Sequence, residues 1–117
     1  MALKERPHTG NFILTELIGK MSYDQITIAA GSGDLDPGTV LGVKPDGTYV
    51  PRKADAGDTS KEACAILYAR VDATTDAKSA VAVTGLAEVY KSGLIWQDGD
   101  DKDSGIAQLR KLFIKVR

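Results

Sequence analysis

Three glycine- or proline-marked turns fall within residues 31–47, and nothing longer than a short strand fits between them. Before the first turn, Ile26, Ile28 and Ala30 alternate with Gln25, Thr27 and Ala29, the period-2 pattern of a half-buried strand. Gly31-Ser32-Gly33 ends that run. Pro37-Gly38 makes the next turn, because proline presets φ for the first turn position and glycine accepts a positive φ. Residues 39–43 and 48–52 then read as two strands joined by Lys44-Pro45-Asp46-Gly47, a hairpin signal.

The rest of the chain repeats this rhythm. Residues 53–61 are polar and contain Gly57, so they read as a surface loop. Residues 63–71 form an apolar run of the buried-strand kind, and 72–78 another loop. A strand is expected over about 79–90, with Val81, Val83, Ala87 and Val89 at even spacing across Gly85; a glycine inside a strand often marks a bulge. One stretch carries helical spacing. Ile106, Leu109, Leu112 and Phe113 share a stripe, Asp103 or Ser104 is placed to cap it, and Arg110 and Lys111 sit in its last turn. A short strand over about 113–116 follows. The expected fold is mostly β, an α+β domain built on a small sheet or open barrel with one late helix.

Residues 1–11 are polar and broken by Pro7 and Gly10, so they read as an extended N-terminal arm, with ordering extending to about residue 15. Residues 12–117 make one domain, as a chain of 117 residues allows. Fully extended, eleven residues reach about 36–40 Å, enough to touch a neighbour. The net charge is −1 with both signs interspersed, which argues against a nucleic-acid or membrane face. No apolar run approaches the ~20 residues of a membrane-spanning helix.

Chemical candidates are weak. Cys64 is the only cysteine and sits in the apolar Ala63-Cys64-Ala65-Ile66-Leu67, where it reads as a small hydrophobe. His8, the only histidine, lies in the polar arm, far from a Cys–His pair. The acidic run Asp98–Asp103 fails as a calcium loop: Lys102 stands at a ligand position and Leu109 where a bidentate Glu belongs. Carboxylates at a helix N-terminus explain it better. Gly31-Ser32-Gly33 leads into Asp34-Leu35-Asp36-Pro37, which repels phosphate and does not open a helix. No catalytic residue, metal or cofactor is expected.

The collinear order of the pieces is more telling. Phe12-Ile13-Leu14-Thr15-Glu16, Thr27-Ile28-Ala29-Ala30-Gly31-Ser32-Gly33, Pro37-Gly38-Thr39-Val40-Leu41-Gly42 and Tyr49-Val50-Pro51 follow one another. Ala65-Ile66-Leu67-Tyr68, Val71-Asp72-Ala73-Thr74, Ala87-Glu88-Val89, Leu94-Ile95-Trp96, Ile106-Ala107-Gln108-Leu109 and Ile114-Lys115-Val116-Arg117 complete the series. Over residues 11–117 it resembles the head decoration proteins of tailed bacteriophages, the lambda-like capsid-stabilising family.

The resemblance implies a structural viral protein with no enzymatic activity. It implies a homotrimer on the outer surface of the expanded phage head, with the major capsid protein as partner, assembled in the host cytoplasm and carried on the virion. It also implies an N-terminal arm that grips the shell, here with Phe12, Ile13, Leu14 and Thr15 as its anchor. Lys4, Glu5 and Arg6 make the tip of that arm polar. Leu94, Ile95 and Trp96 are the candidate trimer interface, since tryptophan is enriched at interfaces. The alternative is a small β-rich module recognising a glycan or host surface. That would call for clustered aromatics, whereas Tyr23, Tyr49, Tyr68 and Tyr90 are scattered.

Overall fold

The computed structural model describes residues 13–16, 22–85 and 87–117. In chain order its elements are β1 (Ile13–Glu16), β2 (Ser22–Ile28), β3 (Gly33–Leu35), β4 (Val40–Val43), β5 (Tyr49–Pro51), β6 (Ala65–Leu67), β7 (Val71–Ala73), β8 (Lys78–Gly85), β9 (Ala87–Val89), the helix α1 (Lys102–Arg110) and β10 (Ile114–Val116). Single 3-10 turns stand at Thr59–Lys61 and Lys91–Gly93. The chain is mostly β with one α-helix among the described residues, as expected.

Strands β2, β5, β4, β6 and β8 close into a small barrel in that order. Its longest ladder joins β2 antiparallel to β8, from Ser22 opposite Gly85 to Ile28 opposite Lys78. The Lys44–Gly47 turn makes the β4–β5 hairpin. Asp46 locks it by accepting from the backbone N–H of Thr48 at 2.9 Å and its hydroxyl at 2.6 Å. β3 and β7 form a separate antiparallel ribbon, and β1, β9 and β10 a three-stranded sheet in the order β1-β9-β10.

Two apolar layers explain why β6 reads as part of a continuous apolar run. Ile26, Ile28, Leu41, Ala65, Leu67, Val71, Ala73 and Ala82 pack as one layer. Val40, Ile66 and Val83, on the opposite faces of the same strands, pack under Val89, Leu94, Ile106, Leu109, Ile114 and Val116. A strand buried on both faces shows no polar alternation. Each buried aliphatic side chain contributes about 1.5–3 kcal/mol.

Several expected elements are corrected. The apolar run 63–71 is two strands, because β6 pairs β4 and β8 while β7 leaves to pair β3. The run 79–90 is also two: β8 belongs to the barrel and β9 to the β1–β10 sheet. Val81 and Val83 share a face, yet Val83 is fully buried and Val81 is 40% exposed, since the covering layer reaches only the first. The helical stripe stops early. α1 buries Ile106 and Leu109, ends at Arg110, and leaves Phe113 outside.

Candidate assembly surfaces

Three of the four residues expected to form the N-terminal anchor, Ile13, Leu14 and Thr15, fall in an edge strand. β1 runs antiparallel to β9, with Ile13 opposite Val89, Thr15 opposite Glu88 and Glu16 opposite Ala87, and the register shifts between Ile13 and Thr15. On the other side of β9, β10 lies parallel, with Val116 also opposite Val89. Ile13, Leu14 and Thr15 therefore stand in a strand of the chain's own sheet. Phe12 and the expected arm 1–11 lie outside the described residues.

Leu94, Ile95 and Trp96 are adjacent in sequence and differ in role. Leu94 is 7% exposed within its own chain and belongs to the layer beneath the helix. Ile95 is half-buried and bridges the start of β4: its N–H donates to Gly38 O at 2.9 Å, and its O accepts from Val40 N–H at 3.1 Å. Trp96 is half-buried, with the Arg52 guanidinium 6.0 Å from its ring centre, within the range of a cation–π contact. Its ring lies over Gly105 in α1 so closely that a Cβ there would stand 2.3 Å from Trp96 Cζ3. Ile95 and Trp96 border a cleft of about 240 Å³ with Asp34, Asp36, Thr39 and Gln97.

The acidic run serves the fold in an unexpected way. The cap of α1 is Asp101, whose carboxylate accepts from the Ser104 N–H at 3.3 Å, rather than Asp103 or Ser104. Asp103 sits in the first turn. Asp100 turns inward to the Arg52 guanidinium at 3.2 Å and accepts from the N–H groups of Ala54 at 2.8 Å and Asp101 at 2.9 Å. Arg52 is the residue that sequence reasoning missed. It lies after Tyr49-Val50-Pro51 in a polar stretch, and no local pattern announces that a cation there will be buried by a helix some fifty residues on.

Cys64 is half-buried, and burial pushes its thiol up to about 11. A thiol so raised is a poor nucleophile at neutral pH. Its Sγ approaches the Leu41 carbonyl at 3.6 Å.

The family model of the bacteriophage lambda head decoration protein D matches residues 2–114. No curated protein matches the chain. With nearly the whole chain matched, it belongs to the bacteriophage lambda head decoration protein D family. It is a structural component of the phage head that decorates the capsid, a role that points away from enzymatic catalysis.

Proposed function

We propose that the chain assembles as a homotrimer on the outer surface of the expanded head and stabilises it against the pressure of packaged DNA, with the major capsid protein as its partner. The observation that carries this reading is the family match over residues 2–114. A physical rationale accompanies it. Packed DNA pulls capsid subunits apart, and a trimer touching several subunits adds buried area across the seams. Three copies held together engage with an avidity that one copy lacks.

The N-terminal segment is the proposed grip. Residues 1–12 lead into β1, the edge strand of a three-stranded sheet. An extended segment adding to a sheet edge gains main-chain hydrogen bonds without demanding particular side chains. Phe12, Ile13, Leu14 and Thr15 supply the apolar and β-branched content of the proposed grip. For the trimer contact the proposal keeps Leu94, Ile95 and Trp96, with the half-buried Ile95 and Trp96 as its accessible part.

Sedimentation equilibrium at micromolar concentration tests the trimer, and a variant lacking residues 1–11 tests the grip. The reading expects a trimer whose truncated form still folds but binds undecorated expanded heads more weakly. A monomer both free and on the head, or a truncated protein with unchanged affinity, would contradict the respective part.

A further inference from the structure

The end of α1 carries an apolar side chain that the fold neither buries nor accommodates easily. After Arg110 the chain turns on two short-range hydrogen bonds, Leu112 N–H to Leu109 O at 3.0 Å and Phe113 N–H to Arg110 O at 3.1 Å. Phe113 then adopts φ +63°, a positive φ that no other non-glycine residue takes among the described residues. Helices that stop this way usually place glycine at that position, because a Cβ there crowds the following carbonyl. Phe113 accepts the strain without burial: it is 75% exposed, the most exposed large apolar side chain described. Strain held at one residue, with no packing to show for it, points to a role outside the chain.

Its surroundings state the chemistry of the contact. Phe113 borders a shallow groove with Arg110, Ile114, Lys115 and Val116. Arg110, Lys111 and Lys115 are all exposed. The last eight residues carry four positive charges and no acid, in a chain whose net charge is −1. Arg117 holds Glu88 at 3.1 Å; Arg110 and Lys115 line the groove with Phe113, and Lys111 precedes it by two residues. The same sheet carries the N-terminal edge. Phe113 O accepts from the Ala87 N–H at 3.2 Å, and Ala87 lies opposite Glu16 of β1.

We propose that Phe113, sharing its groove with Arg110 and Lys115 and following the exposed Lys111, is an anchor that inserts into an apolar depression bordered by carboxylates on the protein shell of the head. This rests on the reading that the chain docks on the head. An acidic protein surface is the occupant that the basic charge of this end of the chain favours. The arrangement is that of an interface hot spot, one aromatic in a pocket with a charged rim that sets approach and orientation.

Phe113→Gly separates this role from folding, because glycine takes the backbone conformation without strain. Wild type, F113G and the double variant K111E/K115E are bound to undecorated expanded heads at low and moderate salt, beside thermal melts and sedimentation of the free proteins. The proposal expects F113G to melt at or above the wild-type temperature, yet bind at least tenfold more weakly. It expects wild-type binding to fall with salt, and K111E/K115E to lose both affinity and salt dependence. F113G binding like wild type would overturn it. So would F113G dissociating to monomers where wild type is a trimer, which would assign the ring to a second copy. Wild type held on duplex DNA as tightly as on heads would make this basic end a phosphate-binding surface instead. Failure of wild type itself to bind heads would strike the docking reading first and this proposal with it.

Discussion

The Arg52 guanidinium lies 3.2 Å from the Asp100 carboxylate, and the two side chains are 1% and 0% exposed. Three further guanidinium donors are used: Nε to Lys61 O at 2.9 Å, Nη1 to Asp101 O at 2.7 Å and Nη2 to Ser104 Oγ at 2.6 Å. One cation thus joins the exit of β5, the 3-10 turn at Thr59–Lys61 and the first turn of α1. Removing either partner leaves a buried charge unpaired. Asp100→Ala and Arg52→Ala should each cost about 3–5 kcal/mol. An R52M/D100L double variant should lose less than the two losses added. Urea unfolding of the three variants measures this.

The cap of α1 gives a graded test. Asp101→Ala should lose about 0.5–2 kcal/mol, the range for removing an N-cap acceptor. Asp103→Ala removes only a favourable charge from the first turn and should lose about 0.3–1 kcal/mol. Thermal melts of the two variants check the order.

Gly105 leaves no room for a side chain beneath Trp96. Alanine is the better helix former by about 1 kcal/mol. The crowding of a ring already held by Arg52 should outweigh that, with a net loss of about 1–2 kcal/mol. Gly105→Ala should also shift the emission of Trp96, the single tryptophan. An unchanged spectrum with raised stability would mean that the ring moves aside freely.

Cys64 should resist alkylation in the folded protein. With the thiol raised to about 11, only about 0.1% is thiolate at pH 8. Iodoacetamide should label it slowly in buffer and far faster in denaturant.

Much of this fold is legible from local chemistry. Ile26 and Ile28 point inward as their spacing requires, and the Lys44–Gly47 turn makes the hairpin that Pro-Asp-Gly announces. What is not legible depends on partners distant in sequence. Val71 leaves the Ala65–Leu67 strand because β3 offers an edge to β7, and no residue between 63 and 71 encodes that choice. Arg52 is buried only because Asp100 and Ser104 close over it. Phe113 fits the apolar stripe of α1 by spacing, but the helix turns off at Arg110 before its ring can reach the core. Of the assembly surfaces, the sequence names plausible residues, while their arrangement depends on copies and partners that a single chain does not contain.

The central claim is that this chain stabilises an expanded head by binding its outside. Calorimetry of DNA-filled, undecorated heads with and without saturating protein, with pelleting to confirm attachment, tests it most directly. The account predicts that the protein pellets with the heads and raises the temperature at which they rupture. Protein that stays in the supernatant at micromolar concentration, or that pellets and leaves the rupture temperature where it was, would contradict it.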